Sequence, residues 1–245
     1  MYSFRQTLGP VAVAFTDRRD GVSGVPFDSL NLGIADDDDP VARAHNLRLV
    51  LDDFAPGAEL ADLHQVHGAA VVAATGATGD ARPDADGIVT GHRDLVLAVR
   101  AADCVPVLFA DPDAGQIAAA HCGRPGLAAG IIPRTVEVMR QQGAERITAW
   151  IGPHVCGGCY EVPAEMQDDV AAVVPESRAT TTWGTPSLDL GAGVRAQLAA
   201  AGVTIDDVSR CTRESPDLYS YRRDGHAAGR IAGLIRQAPS GVAVQ

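Results

Sequence analysis

The chain has 245 residues, 46% of them apolar and only 4% aromatic, enough for one large core or two small ones packed mainly from Ala, Val, Leu and Ile. A formal net charge of −11 with no basic cluster repels phosphate backbones, so nucleic acid is not an expected partner. No apolar run nears the ~20 residues that span a bilayer, Met1–Pro10 lacks a secretory pattern, and five cysteines in so long a chain suit a reducing cytoplasm.

Val11–Thr16 reads as a short strand, followed by the turn-rich loop Gly21–Pro26. The acidic run Asp36–Asp39 precedes Pro40, which suits a first helical turn; carboxylates there complement the positive helix end. Val41, Ala44, Leu47 and Leu51 then recur at helical spacing. From residue 60 the text becomes strands: Leu60–Val66, Ala69–Ala74, Gly87–Thr90, Leu95–Arg100, Val105–Ala110 and Gln116–His121. A helix over Leu127–Gln142, a strand Arg146–Ile151, and helices Pro163–Val173 and Gly191–Ala201 follow. The strand Ile205–Cys211 comes next, and Arg230–Arg236 is apolar enough for a closing strand or helix. With no repeat or linker, the expectation is a single α+β domain over residues 1–245, mixed β-sheets packed with helices in a layered sandwich.

Three strand ends carry residues able to bind a soft divalent metal: His67 in His64-Gln65-Val66-His67, Cys104 after Asp103, and His121 before Cys122-Gly123. Two histidines and a cysteine with a fourth position open is a ligand set of catalytic zinc. They are too widely spread for a local zinc finger, so the fold must assemble them. Each residue alone has a bland alternative, a hydrogen-bonded histidine or a small buried thiol. Their matching contexts argue for a joint role. If Leu60–Val66 continues as a strand, His64 faces away from His67 and reads as a supporting residue. Cys156-Gly157-Gly158-Cys159 has no second CxxC, and its thiols read as structural or site-lining. Arg222 and Arg223, framed by Tyr219, Tyr221 and Asp224, suit either an anion clamp or a surface pair tied to Asp224.

His64–Gly68, Ala85–Thr90 and Ala102–Pro106 resemble the laccase-domain family, once called multicopper polyphenol oxidases. Ser29–Gly33, Gly126–Gly130, Ile151–Pro153, Cys159–Val162 and Ser220–Asp224 match in the same order across nearly the whole chain. The resemblance implies a zinc-dependent purine nucleoside phosphorylase with adenosine deaminase and methylthioadenosine phosphorylase activity, and the high Ala, Gly, Arg and Asp content without lysine suggests a bacterial source. The family also includes a peptidoglycan editing factor. The resemblance places the zinc ligands on His67, Cys104 and His121. Asn31, Arg48, Arg124, Arg222 and Arg223 become candidates for binding nucleoside and phosphate, and Asp103 and His64 for proton transfer.

The chain departs from its family at His121-Cys122-Gly123-Arg124-Pro125-Gly126, where relatives carry a tryptophan and an arginine in place of Arg124 and Pro125. Asn46 is followed by Leu47, with Arg48 one step later, and a one-residue shift rotates a helical side chain by about 100°. Two other chemistries use the same residues. Cys104 with His121 as base would make a cysteine hydrolase. Copper oxidation needs many histidines, often paired, and seven with one paired motif do not supply them.

Overall fold

In the computed structural model, which describes residues 1–34 and 37–238, the chain opens with a hairpin of β1 (Tyr2–Leu8) and β2 (Val11–Thr16). Helix α1 (Pro40–Phe54) and the short strands β3 (Glu59–Ala61) and β4 (Val71–Ala73) follow. Next come β5 (Gly87–Thr90), β6 (Leu95–Ala101), β7 (Val105–Asp111) and β8 (Gln116–Cys122). Helices α2 (Arg124–Ala129) and α3 (Ile131–Gln141) lead to β9 (Thr148–Ile151) and α4 (Ala164–Val173). The chain ends with β10 (Arg178–Thr180), β11 (Pro186–Leu188), α5 (Leu190–Ala200), β12 (Thr204–Asp207), α6 (Tyr221–Asp224) and β13 (Ile231–Gln237).

Two mixed sheets form, in the orders β1-β2-β13-β6-β3 and β12-β9-β7-β8-β5-β4, beside a small β10-β11 pair. Successive strand side chains point to opposite faces, and both faces of each sheet are covered. Val11, Val13, Phe15, Leu97 and Val99 of the first sheet meet Leu108, Ala119 and Trp150 of the second. Ala12, Ala14, Val96 and Ala98 point the other way, against Val50 and Phe54 of α1. Val105, Val107 and Phe109 pack on Ile132, Val136, Val194 and Leu198 of α3 and α5. The result is a helix–sheet–sheet–helix sandwich, as the apolar pattern implied, and burial on both faces explains the near-continuous apolar runs.

The differences from expectation have local causes. Helix α1 starts at Pro40, capped by Asp39, whose carboxylate accepts from Val41 N–H at 2.9 Å. Asp36 of the acidic run lies outside the described residues. The single helix expected over Leu127–Gln142 is two, because Gly130 takes a left-handed φ of 80° between α2 and α3. Pro125 lies in the first turn of α2, where a missing N–H costs no bond, so the helix begins at Arg124. The strand expected over Leu60–Val66 stops at Ala61, and His64 forms only an isolated bridge with Asp84. β12 ends at Asp207 rather than Cys211, which bridges His154 instead. The closing segment is a strand, pairing with both β2 and β6.

Candidate metal centre and its cavity

β6 belongs to the first sheet and β7 to the second, so the turn Ala102–Cys104 carries the chain between sheets. Cys104 lies on that crossing, next to Asp103, which holds a positive φ of 93°. His121 stands near the end of β8, and His67 sits on the loop after β3 with a φ of 61°. One donor atom from each of His67, Cys104 and His121 lies within 4.8 Å of the others. His67 Nε2 is 3.8 Å from Cys104 Sγ, and the two imidazoles meet edge to face at 4.8 Å. Gly123 is needed for this approach: a Cβ there would stand 2.6 Å from His67 Cδ2 and 3.1 Å from Cys104 Sγ. Gly126 likewise sits against the Gly68 carbonyl, where a Cβ would meet it at 2.9 Å.

Asp86 organises the cluster from behind. Its carboxylate bonds His121 Nδ1 at 2.8 Å and accepts the backbone N–H groups of Val66, His67 and Gly68 at 3.2, 3.0 and 2.6 Å. With Nδ1 so engaged, His121 offers Nε2 to the cluster, the carboxylate–histidine arrangement common behind bound metals. Burial raises the cost of charging Asp86, yet His121 and the Gly68 and His67 amides outweigh it and hold its carboxyl below the usual range. Burial disfavours the Cys104 thiolate, but His121 and His67 outweigh it and bring the thiol to about 6. Burial disfavours the His121 imidazolium, which the Cys104 thiolate and Asp86 nevertheless raise to about 9. A thiolate and two imidazoles are borderline-soft donors that suit zinc, and the residues fit such an ion.

The cluster opens into a cavity of about 690 Å³, within the range of small-molecule sites. Tyr160, Tyr221, Arg222 and Arg230 line it, together with Gln65, Arg100 and His64. The Arg222 guanidinium stacks over Tyr160 at 4.5 Å. Among the described residues, neither Arg222 nor Arg230 has a carboxylate within ion-pair distance. Arg100, by contrast, is buried against Asp62, with Nη1 to Oδ2 at 2.7 Å.

The expected site residues divide accordingly. His67, Cys104, His121, Asp103, His64 and Arg222 share the cavity. Asp103 carries no free carboxylate there, for it accepts from Thr212 Oγ1 and from Arg222 N–H, each at 2.6 Å. His64 Nδ1 bonds Asp84 Oδ1 at 2.6 Å in an exposed pair. Arg223 is engaged by Asp224 and by the carbonyls of Thr212, Ser215 and Leu218, whereas the Arg222 guanidinium is not paired with Asp224. Arg124 lies outside the cavity lining but close enough to act electrostatically on Tyr160. Asn31 is buried, its amide oxygen accepting from the N–H groups of Gly33 and Arg230, so it braces a cavity residue. Arg48 lines a separate shallow groove with Leu47 and Leu51 on α1.

Asp86, Tyr160 and Arg230 were not among the expected site residues. Asp86 and Tyr160 lie inside motifs that carry the resemblance, which was the available signal. Arg230, just before an apolar strand, gave none.

The chain matches the model of the multi-copper polyphenol oxidoreductase laccase family over residues 12–238. It is 50% identical over 240 residues to a purine nucleoside phosphorylase of Streptomyces coelicolor, covering 96% of this chain and 99% of that one. A Mycobacterium tuberculosis protein of the same name is 47% identical over 224 residues, with 90% and 89% covered. The crystal structure of YlmD from Geobacillus stearothermophilus superposes with a TM-score of 0.85 at 30% identity, over 98% of this chain and all (100%) of that one. A Neisseria meningitidis structure, described as DUF152, gives 0.85 at 34% identity, over 96% and 99%. Conserved architecture and a match over nearly the whole length agree: the chain belongs to the multi-copper polyphenol oxidoreductase laccase family.

Proposed function

We propose that the protein is a zinc-dependent purine nucleoside phosphorylase that also deaminates adenosine and accepts methylthioadenosine. The observation that carries this reading is the meeting, in one cavity, of the His67–Cys104–His121 cluster with Arg222 and Arg230. Guanidinium forks match phosphate oxygens in two-point contacts; Arg222 and Arg230, which meet no carboxylate among the described residues although Arg230 also donates to the Ala228 and Gly229 carbonyls, support an anion site in a chain of charge −11. Relatives named purine nucleoside phosphorylase support the substrate class.

In phosphorolysis, phosphate attacks the ribose carbon as the purine departs. Arg222 and Arg230 hold the phosphate; Asp103, by fixing the Arg222 backbone, sets where that guanidinium lies. Tyr160, one face of which carries the Arg222 guanidinium, and Tyr221 line the cavity and supply apolar ring surface for the base. His67, Cys104 and His121 would hold the zinc, which supplies Lewis acidity toward the reacting group. Proton exchange falls to His64, since the Asp103 carboxylate is already engaged. Cytoplasmic residence is part of the same proposal.

A second reading, a cysteine hydrolase, draws on the lowered thiol of Cys104 beside His121. Peptidoglycan editing would be one form of it. Copper oxidation is disfavoured, because the ligand groups among the described residues bring together only His67 and His121.

The test is to incubate purified, zinc-replete protein with adenosine or inosine, with and without phosphate, and to separate the products. Phosphate-dependent release of free base supports phosphorolysis, and inosine formed from adenosine without phosphate supports deamination. Neither product, together with a covalent adduct on Cys104, favours the hydrolase.

A further inference from the structure

Three of the remaining cysteines converge with a carboxylate away from the cavity. Cys156 and Cys159 form one Cys-x-x-Cys turn; Cys211 and Glu214 form a second turn of the same spacing. Each turn is closed by its own backbone. Cys159 N–H and Tyr160 N–H both donate to the Cys156 carbonyl at 3.0 Å, and Ser215 N–H donates to the Cys211 carbonyl at 3.0 Å. The two segments are bound side by side, His154 N–H to the Arg210 carbonyl at 3.1 Å and Thr212 N–H to the His154 carbonyl at 3.0 Å. That pairing places one donor atom from each of the four side chains within 4.8 Å of every other.

We propose that Cys156, Cys159, Cys211 and Glu214 form a second, structural metal site for zinc or a similarly soft divalent cation. It shares no residue with the His67–Cys104–His121 centre. Four protein ligands in a tetrahedron are the signature of a closed structural site, and paired ligands with two residues between them on tight turns are its usual framework. Zn–S bonds of about 2.3 Å set sulfur atoms about 3.8 Å apart, so the cluster needs to contract by only about 1 Å to close on an ion. Cys159 is buried and Glu214 exposed, which leaves the carboxylate free to swing in as the last ligand.

Two details agree with a metal more than with loose packing. Cys156 N–H points at Cys211 Sγ at 3.5 Å, as amides do toward metal-bound sulfur. Gly157, between the two cysteines of the first turn, lies so close to Asp189 that a Cβ would meet the Asp189 Cβ at 2.8 Å, so that turn is held by its packing. The Arg213 guanidinium beside Cys159 offsets the residual negative charge of three thiolates and a carboxylate around a divalent ion. The site would clamp together the segments carrying Tyr160 and Thr212, and through Thr212 the Asp103 carboxylate. It would thereby stiffen one wall of the cavity from outside.

The experiment is metal analysis of the full chain purified under reducing conditions, paired with cobalt substitution. Wild-type protein should hold about two equivalents of zinc, Cys104→Ser about one, and Cys159→Ser about one. If Cys159→Ser does not fold, Cys104→Ser alone decides. Its cobalt derivative should show the intense thiolate-to-cobalt charge-transfer bands of a multi-thiolate site, which the His67–Cys104–His121 centre cannot give once Cys104 is lost. Cys104→Ser that folds but binds no zinc or cobalt overturns the proposal. So does an intact mass showing a disulfide within Cys156, Cys159 and Cys211 in freshly reduced, metal-replete protein.

Discussion

Asp86 bonds His121 Nδ1 at 2.8 Å while the same carboxylate takes the N–H groups of Val66, His67 and Gly68. One buried residue thus sets the ring orientation of one ligand and the backbone of another. Removing an acceptor of this kind typically lowers metal affinity 10–100-fold. Asp86→Asn, measured by competition with a chromophoric chelator, should fall in that range, with a smaller change in thermal stability than Asp86→Ala. Unchanged affinity would separate Asp86 from the metal.

Gly123 lies where a side chain would strike both His67 and Cys104. Gly123→Ala should therefore cut zinc retention while leaving far-UV circular dichroism as in the wild type. Gly24, around which a Cβ meets nothing, serves as the control, and Gly24→Ala should keep its zinc.

Arg222 and Arg230 line the cavity and meet no carboxylate at ion-pair distance among the described residues, whereas Arg48 lies on another surface. A charge-assisted contact contributes about 1.5–3 kcal/mol, so Arg222→Ala or Arg230→Ala should each raise the KM for phosphate about 10–100-fold. Arg48→Ala should leave it unchanged. Equal effects from all three would mean that the cavity does not select the anion.

Asp111 gives a pH dependence outside the site. Its buried carboxylate accepts from Asp113 and Ala114 at 3.1 Å and from Glu145 and Arg146 at 2.7 and 2.8 Å, tying the end of β7 to the segment before β9. Burial opposes ionisation, but these four amides outweigh it and hold the carboxyl below its ordinary value. The resulting stabilisation is present above the unfolded-state pKa of about 3.9 and is lost as pH falls through the lower folded value. Asp111→Asn should cost about 1.5–3 kcal/mol at neutral pH. In urea titrations the gap to wild type should narrow below about pH 4; a constant gap would contradict the assignment.

Much of the sandwich was legible because burial on both faces writes long apolar runs, as in Leu95–Ala101 and Val105–Asp111. β1 was not, since its Arg5 and Gln6 are exposed on an edge strand and break the apolar pattern. The metal-type cluster was anticipated from residue types and from the family resemblance, although His67 lies on a loop and not at the strand end expected for it. Its supports were less legible. Asp86 sits inside a motif shared with the family but looks like any turn aspartate, and whether Arg48 or Arg230 reaches the cavity depends on helix rotation and strand order. The left-handed backbones of His67 and Asp103 had only a weak sequence signal, since Asp and His adopt positive φ more often than most residues with a Cβ but still uncommonly.

The most direct measurement of the central claim follows base release from inosine against metal content. Protein stripped with chelator should release no base. Added zinc should restore phosphate-dependent release in wild type and not in Cys104→Ser. Full activity from metal-free protein, or recovery only with copper and with turnover of phenols in place of nucleosides, would contradict it.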